Sequence, residues 1–281
     1  MSYIGMKRWG IELQAIRKYT AAFSLSLQKS MEYRMDFFMG ILGTLVVILV
    51  QYFLWTAVFK GTAQAVVGGY TYQQLIAYTV FSGIVSKLVA TGFEREIADD
   101  IKLGGLNKFL AQPVNYALFR FMAFLGEKLT QLLAGSALSL VLILSLGETW
   151  SVQRDPLTIL LFFAAVLMGL VIHFFVFYIV SSLAFVMTEV WGVFIAMRQG
   201  SFLLGGGIFP LDMMGAGIRS VVRFLPFEYT VFFPVSILNG RLLNGEILSG
   251  MLCQVFWIAT LWAASHFCWK AGLKKHIAAG G

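Results

Sequence analysis

Lys87, Glu127 and His173 are the residues of this 281-residue sequence with the strongest chemical potential, because each lies inside a long apolar run. An ionisable side chain in hydrocarbon is costly, and by default it marks an ion or proton pathway or a substrate contact. Each also has a plainer role. His173 stands alone in its run, where a hydrogen-bonded packing residue would do as well, and His266 is a weaker case of the same kind. Glu127 suits an ion pair with a neighbouring helix. Its sequence neighbour Lys128 points about 100° away on a helix, whereas Gln131 shares its face at i+4. Lys87 and Glu127 sit about 9 and 15 Å in from the same side of their respective apolar runs, so they are expected to pair or to share a hydrated pocket.

Motifs for enzymatic chemistry are missing. The sequence holds no GxxxxGK[ST] phosphate loop, no GxSxG elbow and no HExxH pair. Cys253 and Cys268 share one apolar run and would stand about 22 Å apart on a helix, too far for a disulfide. No cysteine–histidine spacing suits a metal. The expectation is a chain that is not an enzyme and binds no cofactor.

The densest polar stretch between apolar segments is Phe93 to Asn115, FEREIADDIKLGGLNKFLAQPVN. Phe93, Ile97 and Ile101 recur every four residues and predict a short helix with a narrow apolar stripe. Gly104 and Gly105 end it, since glycine tolerates the left-handed conformation that closes a helix. Leu106, Phe109 and Leu110 resume an apolar face that Pro113 closes. Two roles suit such a stretch. It could dock in a groove on a soluble partner, with Ile97 and Ile101 facing that groove or the membrane-side scaffold and Glu94, Asp99 and Asp100 at the rim. It could equally be an interfacial loop that joins two spans.

The rest of the chain is built for a membrane. With 59% hydrophobic and 12% charged residues and a mean hydropathy of +0.80, the composition departs far from a soluble domain, which is about 25% charged. The predicted fold is an all-α polytopic membrane protein with six transmembrane helices. An amphipathic interfacial helix (1–36) comes first, with Trp9, Leu13, Ile16, Thr20, Phe23, Leu27 and Met31 along one side. A targeting segment is the competing reading, which Glu12, Glu32 and Asp36 oppose. The six-span domain covers 37–269, with spans near 37–59, 72–92, 117–146, 157–187, 193–209 and 247–269; about 20 residues cross a bilayer, and the third and fourth are long enough to tilt or to project beyond it. The fifth is short, carries Arg198 and dissolves into Gly205, Gly206, Gly207 and Pro210. Pro226 and Pro234 then break 210–245 into pieces too short to cross, predicting a re-entrant outer segment before the sixth span. Phe224, Phe227, Tyr229, Phe232 and Phe233 cluster there, either walling an exit path or anchoring at the membrane surface. Gly205, Gly206, Gly207, Pro210, Phe224, Pro226 and Phe227 are the candidate outer gate. A tail follows at 270–281.

Charge orients the map. The lead-in, the Lys87–Arg120 region and the tail hold about 14 Lys and Arg, and the opposite loops about five, which places both termini and the Phe93–Asn115 stretch in the cytoplasm. The net charge of +7 follows from membrane flanks and anionic lipid, so no nucleic acid is expected as a partner.

Taken together, the chain resembles the membrane subunit of a bacterial ABC transporter of the type-2 exporter family. EREIADDIKLGGLNKFLAQPVN is similar to that family's I-x2-G-x-L-x3-L-x-x-P region, with Ile101, Gly104, Leu106, Leu110 and Pro113 in the matching places. TEVWGV, GGGIFPLDMM and LPFEYTVFFPVSILNG are similar to its second signature. The resemblance implies a permease in the bacterial plasma membrane that pairs with a second permease, identical or homologous. It implies separate ATPase subunits that bind ATP and Mg. It also makes the short cytoplasmic helix a coupling helix, carried here by Glu94, Ile97, Asp99, Asp100, Ile101, Gly104, Gly105 and Leu106. An ion-coupled secondary transporter is the alternative; it would need midplane sites, for which Glu127 and His173 are the candidates. A lipid-acting membrane enzyme would need clustered catalytic groups, and none stands out.

Overall fold

The computed structural model describes residues 3–32, 34–62, 65–146 and 152–280. Within them, the side chains of 3–16, 34–38, 146, 216 and 276–280 lie outside the description, and so do Trp9, Leu13 and Ile16 of the expected lead-in stripe. The helices are α1 (Tyr3–Glu32), α2 (Arg34–Thr62), α3 (Tyr72–Val89), α4 (Glu94–Lys102), α5 (Asn107–Leu110), α6 (Tyr116–Leu146), α7 (Pro156–Ser181), α8 (Trp191–Leu204), α9 (Ala216–Val222), α10 (Phe232–Leu238) and α11 (Asn244–Gly280). A small antiparallel hairpin, β1 (Val66–Val67) with β2 (Tyr70–Thr71), joins α2 to α3.

Among the described residues, five helical stretches are long and apolar enough to cross a membrane: Met39–Thr62, Tyr72–Lys102, Tyr116–Ser145, Pro156–Phe185 and Asn244–Lys275. The expected fifth span is not one of them. α8 has 14 residues, about 21 Å, and the chain leaves the helix at Gly205 and turns through a positive φ of 82° at Gly206. From Pro210 to Gly245 the chain folds into α9, α10 and two 3-10 turns, pieces of seven residues or fewer; Pro226 opens one of the turns, whereas Pro234 lies within α10. α11 runs unbroken to Gly280. The expected tail is therefore the end of a helix, since nothing after Trp269 breaks it.

α1 lies along α6 with Ala22, Ser26 and Ser30 on the packed side; of the expected stripe, Phe23 and Leu27 are half-buried and Thr20 and Met31 exposed. A Cβ on Gly126 would come within 2.2 Å of the Phe23 carbonyl, and Ser30 Oγ meets Thr130 Oγ1 at 2.8 Å. Small residues four apart let two backbones approach.

The core is aromatic and sits between α3, α6, α7 and α11. Phe93, Phe124 and Phe174 meet within 5.0–5.6 Å, and Tyr116 stacks on Trp269 at 4.8 Å. α10 is buried along its whole length. Gln254 of α11 donates to the carbonyls of Ala165 and Tyr229, both at 2.8 Å, which joins α7, the outer turns and α11. Local signals start the long helices. Thr71 and Gln74 make a capping box on α3. Asp155 caps α7, with Pro156 in its first turn.

Candidate functional site: the α4–α5 elbow

The polar stretch folds into two short helices joined by a tight turn. Phe93, Ile97, Ala98, Ile101 and Leu106 are all buried, and α4 packs against α7 and its 3-10 extension Ser182–Phe185. Ile97, Ile101 and Leu106 thus face the scaffold, and the groove-facing alternative is set aside. Gly104 takes a positive φ of 76°. Gly105 has a different task, since a Cβ there would lie 2.6 Å from Asp100 Oδ1. The Leu106 amide closes the turn on the Asp100 carbonyl at 2.8 Å.

The charges around this elbow do not all lie at a rim. Glu94 is 0% exposed and pairs with Arg198 of α8. The reason is spacing: Glu94, Ile97, Ala98 and Ile101 follow i, i+3, i+4 and i+7, one face of a helix. Asp100 is also enclosed. It pairs with Arg120 of α6 and accepts a hydrogen bond from the Tyr116 hydroxyl at 2.7 Å. Glu96 bridges Arg120 at 2.7 Å and Lys29 of α1 at 3.2 Å. Lys102 donates to the Thr188 carbonyl, and the Arg95 guanidinium lies 5.4 Å from the Trp191 ring centroid. Of the expected rim acids Asp99 alone is exposed. α4 is therefore tied to α1, α6 and the start of α8 at once.

The elbow shows its outer side at the tip. Leu103 is 81% exposed and Leu110 47%, among Asp99, Lys102, Asn107 and Lys108. The sequence reading passed over Leu103, although its place one residue before a helix-ending glycine is the signal for a turn tip.

The intramembrane candidates part company. Lys87 and Glu127 form no ion pair. Lys128 is the α6 residue that reaches the end of α3: its ammonium donates to the Lys87 carbonyl at 3.4 Å and to Gln131 Oε1 at 2.9 Å. Glu127, about 100° around the helix, lies on the α1 side, where its carbonyl accepts from Ser30 Oγ at 3.1 Å. His173 is buried, with its ring 5.6 Å from Phe177 and, among the described residues, no hydrogen-bond partner for Nδ1. It lines a cavity of about 110 Å³ together with Ser86, Thr91 and Arg198.

At the opposite end of α3 the outer candidates divide. Gly205, Gly206, Gly207, Pro210 and Pro226 are buried. The Gly206 carbonyl accepts from Tyr78 at 2.6 Å and the Gly207 carbonyl from Gln51 at 3.3 Å. A Cβ on Gly205 would lie 3.3 Å from the Phe227 carbonyl. These glycines are close-approach points between α2, α3 and the outer turns. Phe232, Phe233 and Tyr229 are core residues, Phe227 is half-buried, and Phe224 stands apart at 80% exposure.

A clasp next to them joins the hairpin to the outer turns. The Tyr70 hydroxyl donates to the Asp212 carboxylate at 2.8 Å. Arg241 pairs with Asp212 at 3.2 Å, donates to the Gly69 carbonyl at 2.7 Å and lies 4.0 Å over the Tyr70 ring. Burial first, and then the Asp212 charge, push the Tyr70 phenol well above its usual range, so it stays a donor. The signal for the hairpin is Val-Val-Gly-Gly-Tyr-Thr, a Gly-Gly turn between β-formers, in the segment between the first two expected spans.

Among the described residues no group of three or more His, Cys, Asp or Glu is placed to hold a metal. No curated protein matches the chain. A family profile described as ABC-2 family transporter protein matches residues 45–280, which takes in α3 to α11, the elbow and the clasp. With most of its length matched, and with apolar helices carrying a polar elbow at one end, this chain belongs to the ABC-2 family of transporter proteins.

Proposed function

We propose that this chain is the permease subunit of an ATP-driven exporter in a bacterial plasma membrane. Two permeases, identical or homologous, form the pathway. Separate ATPase subunits bind ATP and Mg and do the hydrolysis. The α4–α5 elbow is the coupling element, and both termini lie on its cytoplasmic side, as the basic flanks favour.

The observation that carries this reading is the build of the elbow. It is fixed inward by Ile97, Ile101, Leu106 and ion pairs to α1, α6 and α8, yet it presents Leu103 and Leu110 outward within a ring of charge. An apolar anchor inside a polar rim suits a groove on a soluble partner. The inward pairs would carry a push on the tip into three helices.

A six-crossing path is part of the proposal. Thr188 touches Lys102 at the elbow end, and Asp212 touches Tyr70 just before α3 begins. Residues 188–212 therefore cover the length of α3, with α8 and the glycine turn as a broken fifth crossing. The short helices between Pro210 and Gly245 would be re-entrant at the outer face.

The test is to co-express the chain with a candidate ABC ATPase subunit and purify the two together. Retained ATPase in the wild type and its loss in Leu103→Asp is the expected result. An elbow that can be replaced without changing association or hydrolysis would leave it a connecting loop.

A further inference from the structure

Between α2, α3 and α6 runs an apolar groove of about 350 Å³, within the range of ligand pockets, roughly 300–1,000 Å³. Ile84 and Leu88 form its buried floor, and Ile41, Leu45 and Leu138 stand at an exposed mouth. On a membrane helix bundle that mouth faces acyl chains. The elbow end of the groove is different, because Lys87 and Gln131 line it.

The Lys87 ammonium reaches across to α2 at Gly40, where a Cβ would lie 2.6 Å from Nζ. Among the described residues it has neither a carboxylate partner nor a hydrogen-bond partner. Lys128, 6% exposed, is close behind. Its hydrogen bonds go to a carbonyl and an amide oxygen, so it too lacks an ion-pair partner. Glu127 acts on Lys128 at longer range and pairs with neither lysine. Two ammonium groups thus stand together at the end of an apolar channel, with Glu127 and the Arg198-paired Glu94 acting only at longer range, an arrangement that a bound anion would relieve.

We propose that this groove binds one anionic phospholipid of the surrounding bilayer, with an acyl chain along α2, α3 and α6 and the phosphate on Lys87. Charge and shape select the same molecule, an anion carrying an alkyl chain. The site stands without the export reading, and its test needs no ATPase.

The full chain is reconstituted in phosphatidylcholine nanodiscs and titrated with spin-labelled phosphatidylglycerol, or with phosphatidylcholine bearing the same label. The immobilised fraction is read by electron paramagnetic resonance. The wild type should prefer phosphatidylglycerol about fivefold at one saturable site per chain. Lys87→Gln should bring the ratio to parity, while Lys87→Arg keeps it. Lys270→Gln, a basic residue on α11, should change little; a loss equal to that of Lys87→Gln would mean general surface attraction and would overturn the site. Asp36 lies one turn before Gly40 in sequence. Should Asp36→Asn be required before any preference emerges, the counter-ion is internal and the proposal fails. Ala134→Phe fills the groove with every charge intact, which covers the case in which Lys87→Gln does not insert. Unchanged phosphatidylglycerol binding in Ala134→Phe would likewise overturn the proposal.

Discussion

Leu103 and Ile101 are two residues apart and face opposite ways, so they separate docking from folding. Leu103 is 81% exposed and Ile101 3%. Leu103→Asp replaces an apolar anchor of a proposed interface with a charge, which should cost more than about 1 kcal/mol of association. ATPase association should fall at least tenfold, with the thermal midpoint of the permease unchanged. Ile101→Asp buries a charge in the core and should destabilise the chain by more than about 4 kcal/mol, seen as lost expression or a lowered midpoint before any assay of coupling. Equal effects of the two on association, with both proteins well folded, would refute this division. At this scale the sequence was half legible. The apolar stripe and the glycine stop were readable from spacing and residue type. Glu94 was misplaced because its charge suggested a rim, although its position puts it on the same face as Ile97 and Ile101.

The elements α4 and α8 are joined by one buried contact, Glu94 with Arg198. Arg198 looked anomalous in an apolar run, and its partner, 104 positions away, could not be read from periodicity. Breaking a buried pair from one side leaves a charge unmatched and costs about 3–5 kcal/mol. The Arg198 side chain keeps 40% of its exposure, which argues for about 3 kcal/mol in Glu94→Gln. Adding Arg198→Met should recover part of that loss, because residues in direct contact are not additive. Equal and additive losses in a thermal or denaturant series would show that the pair does not hold α4. The hairpin–outer turn clasp is the other inter-element tie. Tyr70→Phe deletes the donor that serves Asp212 and should cost about 1–3 kcal/mol. Limited proteolysis near Gly69 should quicken in that variant, and an unchanged cleavage rate would mean that Arg241 suffices. α1 shows why elements were harder to place than to find. Its helix was evident, but its docking on α6 depends on Gly126 and Ser30, small residues that hydrophobic patterning ignores.

At the scale of the whole molecule, orientation decides whether the elbow can meet an ATPase at all. α11 has 37 residues, about 55 Å at 1.5 Å per residue, and the hydrocarbon core is about 30 Å. The excess length must project from the membrane. The three lysines Lys270, Lys274 and Lys275 lie at one end and Glu246 at the other, and basic flanks stay on the cytoplasmic side. The elbow belongs to the lysine end, since Tyr116, immediately after it, stacks on Trp269 beside Lys270. One labelling experiment therefore fixes both. In a background with Cys253 and Cys268 replaced by Ala, Lys274→Cys should resist a membrane-impermeant maleimide on intact cells and react after permeabilisation. Leu243→Cys, 75% exposed in the wild type and at the other end of α11, should react from outside at once. The reverse result would put Leu103 and Leu110 outside the cell, where no ATP-driven subunit could reach them, and the coupling proposal would fall together with the topology.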